Sequence, residues 1–152
     1  MAQQAPVKGG GQRGQGIGLM LVRITVGVFL FFQGLSKVSW LIDSGPLSVQ
    51  LAQWFEQAPQ LSRWYLERLL PGTPIFARLV PLGEMMAGLA LVLGFWTRLA
   101  AGLAFLMVLN FHVAGAAFYR FSYLSDAMGL LVLGALLGLA IGGGRLPLSL
   151  RK

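Results

Sequence analysis

Few side chains in this sequence can do chemistry, and the informative ones are ionisable groups set inside apolar stretches. Glu84 is preceded by Pro81 and Gly83 and followed by Ala87 and Gly88 in one such stretch. A carboxylate in hydrocarbon is costly, so it must pair, accept hydrogen bonds or hold its proton. Pro81 removes a backbone donor and bends the helix, which leaves room beside the acid. With about 1.5 Å of rise per residue, Glu84 lies about 16 Å from one end of its crossing, Arg23 about 9 Å and His112 about 20 Å. Either basic group reaches Glu84 if the helix faces align, so Glu84, Arg23 and His112 form the candidate catalytic set. Two uses fit them. Glu84 handles a proton or substrate while Arg23 holds an anion, or Glu84 and Arg23 make a structural ion pair.

A second polar set lies around it. Asp126 is level with Lys37 and Gln33 near the opposite surface, where a structural pair is expected. Asn110 and His112 are two residues apart, so they point to nearly opposite sides of a helix and only one faces Glu84. A single histidine is too little for a haem with two histidine ligands or for a metal cluster, and no metal site is expected. The absence of cysteine excludes disulfides, thiolate catalysis and cysteine-held iron–sulfur clusters. Nothing in the sequence calls for a covalently bound cofactor.

Arg23, Gly27, Leu30, Gly34 and Lys37 follow steps of four, three, four and three, which place them on one helix face. Glycines on such a face let a neighbouring helix approach closely. Gly88 plays the same part beside Glu84. Gly134, Gly138 and Gly142 repeat every four residues and make another helix-packing seam. The glycines at 142–144 precede Arg145 without the lysine and following Ser or Thr of a phosphate loop, so that likeness carries nothing.

The elements that must position these groups follow from composition. Hydrophobic residues are 56% and charged residues 11% of 152, with a mean hydropathy of +0.71. A soluble domain of this length needs more charge to cover its surface. Apolar runs at about 17–36, 75–96, 99–119 and 123–141 each approach the roughly 20 residues that cross hydrocarbon. The expected fold is an all-α membrane protein, a four-transmembrane-helix bundle over 17–145. Only Thr97 and Arg98 separate the second and third runs, which forces a tight hairpin. Residues 1–16 read as a disordered tail, and 146–152 as a basic C-terminal tail.

Residues 38–74 differ. Leu51, Trp54, Phe55, Ala58, Leu61, Trp64 and Tyr65 recur at helical spacing between polar residues, and Pro59 interrupts them. Two short amphipathic helices are expected, with Trp54, Trp64 and Tyr65 at the headgroup level or the pair closing as a lid over the bundle.

The net charge is +7, from 12 basic and five acidic residues. The basic residues stand singly at the ends of apolar runs, where lipid headgroups explain them better than nucleic acid does. Lys8, Arg13, Arg98, Arg145, Arg151 and Lys152 share the side of both termini, which places the termini in the cytoplasm.

The pattern resembles the DoxX/DoxD family of small bacterial four-helix membrane proteins. The resemblance runs through Arg23, Gly27, Phe29-Leu30, Gly34 and Lys37, then through Leu82-Gly83-Glu84, Gly88-Leu89-Ala90-Leu91, Gly94 and Thr97-Arg98-Leu99-Ala100-Ala101. Trp64-Tyr65 and the Leu-rich, Pro-containing stretch after them are similar to the outer loop of the DoxD subgroup. Asn110 and Asp126 stand where the family tends to place polar groups. The family often ends in Ser-Leu-Asp; here Leu148-Ser149-Leu150 has no terminal aspartate.

The resemblance covers about residues 19–145 and implies the bacterial cytoplasmic (inner) membrane. It also implies a link to membrane redox processes, including a subunit of thiosulfate:quinone oxidoreductase. The first expectation is an accessory subunit docked on other membrane-protein subunits, with turnover by this chain alone not expected. The second is a component that binds quinone or a small sulfur compound near Arg23, Glu84 and His112. A small transporter ranks third, because inverted repeats with broken helices are not evident.

Overall fold

The computed structural model describes residues 10–126, 129–144 and 146–150, with side chains from residue 14 onward. Unbroken apolar sequence becomes helix because a helix satisfies every backbone group within its own segment. The first helix, α1, spans Gly10–Leu35. Residues 10–16 are therefore helical and not part of a disordered tail. Each adds a hydrogen bond to a ladder already nucleated by the apolar residues that follow. Residues 1–9 of that expected tail lie outside the described residues.

Two short helices come next, α2 at Gly45–Gln57 and α3 at Gln60–Leu69, broken at Ala58 and Pro59 as the proline requires. A 3₁₀ turn at Leu70–Gly72 leads into α4, Thr73–Leu93, which opens with Pro74 in its first turn. The apolar stretch Gln60–Leu93 is 34 residues long. That is about 51 Å of helix, too long for one crossing, whereas the 21 residues of α4 alone give about 32 Å.

Gly94 ends α4 at φ 70°, with its N–H on the Leu91 carbonyl and the Phe95 N–H on the Ala90 carbonyl. This paired closure needs a residue in the left-handed region, which glycine enters without a Cβ clash. The chain reverses through Phe95 and Trp96 into α5, Thr97–Ala114, the hairpin expected there.

α5 stops before the expected 119, and the last helix starts after the expected 123. Gly115 closes α5 and Ala116 lies at φ 52°. 3₁₀ turns at Ala117–Tyr119 and Phe121–Ser125 follow, and α6 runs only over Leu130–Gly142. Glycine stands at both breaks: Gly115 follows α5, and a side chain at Gly129 would sit 2.7 Å from the Tyr123 carbonyl. Among the described residues three helical stretches, Gly14–Leu35, Gln60–Leu93 and Thr97–Ala114, are long and apolar enough to cross a membrane; α6 is apolar but shorter. The chain is an all-helical, multi-pass membrane protein.

The long helices run antiparallel to their neighbours. Gly27 lies against Gly88 and Val92, and Gly34 against Pro81 and Met85, which sets α1 along α4. Arg98 Nε donates to the Ala140 carbonyl at 3.0 Å and Gly143 lies against Thr97, which sets α5 along α6. Val26, Leu30, Leu91, Ala101, Leu136 and Leu139 form the main core. A second core joins Leu47, Leu51, Ala58 and Leu66 to Ala77 of α4 and Ala114 of α5. The short helices thus cover one end of α4 and α5.

Candidate functional site

The interior charges fall at two places along α1. Near its C-terminal end, Lys37 Nζ donates to Glu84 Oε1 at 2.9 Å and Oε2 at 2.7 Å, and to the Gln33 carbonyl at 3.1 Å. Glu84 is 5% exposed, so the carboxylate is interior and its two oxygens are held by one ammonium. Lys37 lies in the turn that follows α1; its side chain reaches back to the Gln33 carbonyl, one turn earlier, and meets Glu84 across the Gly34 contact.

Arg23 lies within the helix, where side chains tilt toward the N-terminus, so it leans toward the start of α1, away from Glu84. Arg23 is 0% exposed; Nη1 donates to Ser149 Oγ at 2.5 Å and Nη2 to the Leu148 carbonyl at 2.9 Å. Gly94 lies beside this guanidinium, where a side chain would collide with Arg23 Nη1 and Ser149. Segment 146–150, expected as a tail, is instead folded over this end, with Leu146 buried.

The candidate set Glu84, Arg23 and His112 is thus not brought together. Fourteen residues separate Arg23 from Lys37, about 21 Å along α1. His112 stands in the last turn of α5 among rings, 5.2 Å from Tyr123 and 6.0 Å from Phe118 between centroids, both edge-on. Gly83 lies against Met107, so by helical register His112 stands more than a turn beyond Glu84. The expected pairing of Lys37 with Asp126 gives way to Lys37 with Glu84 and Gln33. Asp126 lies after the 3₁₀ turn, outside α6. Lys37 is legible in the sequence but its acid is not, because spacing along the chain records neither the register of α1 against α4 nor the reach of a side chain. Ser149 was missed altogether; only its hydroxyl signalled it.

Asn110 turns to a different space. It lines a cavity of about 290 Å³ between α2 and the α4–α5 pair, with Leu51, Trp54, Phe76, Met107 and Phe111 among its walls. Trp54 meets Phe111 edge-on at 6.2 Å, so this tryptophan packs inward. Trp64 is half exposed with Arg68 3.8 Å over its ring, and Tyr65 packs on the second core.

Chemically, the Lys37–Glu84 pair ties α1 to α4, and a substrate must displace the ammonium to reach the carboxylate. Among the described residues no three His, Cys, Asp or Glu side chains gather as metal ligands.

A family model, DoxX, matches residues 18–119. The matched range holds Arg23, Lys37, Glu84, Asn110 and His112 and stops before α6. No match was found among curated proteins or among solved structures.

Proposed function

Because the chain belongs to the DoxX family, whose model covers residues 18–119, we propose that it serves as an accessory subunit of a membrane redox or electron-transfer assembly. In this reading it crosses the bacterial inner membrane four times, with both termini in the cytoplasm. α6 and the 3₁₀ turn before it complete the fourth crossing. The observation that carries the reading is the outer face of α6. Gly134 and Gly138 are exposed, and a Cβ added at either would meet nothing within 4 Å. A small-residue seam open to the outside lets a helix of another subunit pack backbone to backbone. The interior charges support the same reading, since Glu84 and Arg23 are engaged in holding helices and the chain end.

Isolation from native membranes in mild detergent tests it. The chain is expected in a larger assembly, and Gly138→Leu is expected to release it as a folded single subunit. A wild-type chain that elutes alone overturns the reading.

The Asn110 cavity supports a second reading, a quinone-linked component. One amide in an apolar, aromatic-lined space suits a lipid-soluble ring carrying an oxygen acceptor. Asn110→Leu should then abolish binding of a short-chain quinone while leaving the fold intact.

A further inference from the structure

The two interior charged groups are treated unequally. Glu84 faces an ammonium, whereas Arg23 faces only a hydroxyl and a carbonyl, and its Nε has no hydrogen-bond partner. No carboxylate among the described residues pairs with Arg23. A buried cation held by neutral dipoles keeps most of its desolvation penalty, so an anion of matching shape outcompetes those dipoles once it can enter.

What stands in the way is lightly seated. Leu146 is buried and Pro147 rests on Gly16, but Leu148 and Leu150 are 77% and 74% exposed. Beyond the bonds to Arg23, the hydrogen bond that holds the end of the segment among the described residues is Leu150 N–H to the Leu93 carbonyl at 3.2 Å. Leu148 adopts φ 53°, a strained setting for a side chain with a Cβ. Basic residues gather near it. Arg98 is exposed beside Gly144, with its Nε on the Ala140 carbonyl, and in the sequence Arg145, Arg151 and Lys152 flank residues 146–150.

We propose that residues 146–150 are a displaceable plug over an anion site built on Arg23, and that the site takes a net-anionic phosphate group. The planar guanidinium binds phosphate through two parallel N–H bonds, the two now directed at Ser149 and Leu148. Pro147 is the pivot, with the buried Leu146 as anchor. Anionic headgroups concentrate near basic residues, and free phosphate shares their chemistry.

The chain has no cysteine, so Leu150→Cys in the full-length protein gives a single spin-label site. The label is read in lipid nanodiscs of phosphatidylcholine, whose phosphate is balanced by its choline, and in discs containing phosphatidylglycerol. Phosphatidylglycerol is expected to raise the mobile component, and inorganic phosphate added to phosphatidylcholine discs is expected to do so only if the soluble ion is the source. A spectrum unchanged in both conditions overturns the proposal. Arg23→Lys keeps the charge and loses the fork, so it should lose most of the response; a full response there also overturns it. In phosphatidylcholine alone, Ser149→Ala should raise the open-to-closed ratio about tenfold, the equivalent of one charge-assisted hydrogen bond. No change would show that Arg23 does not hold the segment, and would equally overturn the plug.

Discussion

Arg23 at the middle of α1 and Lys37 in the turn just past its C-terminal end continue one stripe of the sequence, yet the protein treats these two cations in opposite ways. Lys37 leans inward and meets a carboxylate; Arg23 leans outward and meets a folded-over chain end. The difference comes from where each stands on the chain. Lys37 lies in the turn after α1 and reaches back to the Gln33 carbonyl, where it meets Glu84; Arg23 lies within the helix, and its side chain tilts toward the start of α1, where it meets the chain end. Identical chemistry at two points of one stripe becomes an interior ion pair at one and a latch at the other.

The widest separation between the two cations should come from removing the lysine. Lys37→Met leaves the Glu84 carboxylate interior and unpaired, and is expected to cost about 3–5 kcal/mol, read as a fall in thermal unfolding temperature in detergent. Lys37→Met with Glu84→Met should recover most of that, because an apolar pair of similar volume has no charge to solvate. Arg23→Met removes a cation that has no counter-charge, so it should cost far less than Lys37→Met. Equal losses at the two positions would erase the contrast.

The glycines on the same face allow a finer break. A Cβ at Gly88 would lie 2.5 Å from Phe31 N and 2.6 Å from the Gly27 carbonyl, both backbone atoms. Neither can rotate aside. Gly88→Ala should therefore push α1 from α4, lengthen the Lys37–Glu84 contact and cost about 1–3 kcal/mol. The measurement is unfolding temperature with and without Lys37→Met; the two losses should not add, since the residues share one interface.

Much of this architecture is legible in the residues. The Arg23–Lys37 stripe identifies the face of α1 that packs, and Gly27 and Gly34 on it do touch α4. The break at Pro59 and the hairpin at Thr97 follow from local chemistry that no distant contact overrides. Glu84's partner was not legible, because it depends on the register of α1 against α4 and on side-chain lean, neither of which spacing records. The ends of α5 and α6 were hidden for a related reason. The runs expected over 99–119 and 123–141 are apolar enough to read as membrane helix, but Gly115 and Gly129 stand at the breaks and Tyr123 turns inward. Segment 146–150 looked like a tail because its anchor, Arg23, stands 126 residues from Ser149.

The smallest expected change in stability lies on α6, and there the test is most informative. Gly134 and Gly138 share the small-residue character of Gly27 and Gly88 but face open space. Gly138→Leu should leave unfolding within about 0.5 kcal/mol of the wild type, as surface changes away from special features do. The same change fills a seam through which another helix would pack, so it should weaken association in native membranes. Measured side by side, Gly88→Ala should lower stability, and Gly138→Leu should lower recovery of the larger assembly with the fold unmoved. If Gly138→Leu destabilises the isolated chain, the seam belongs to the bundle itself and the docking face must be sought elsewhere.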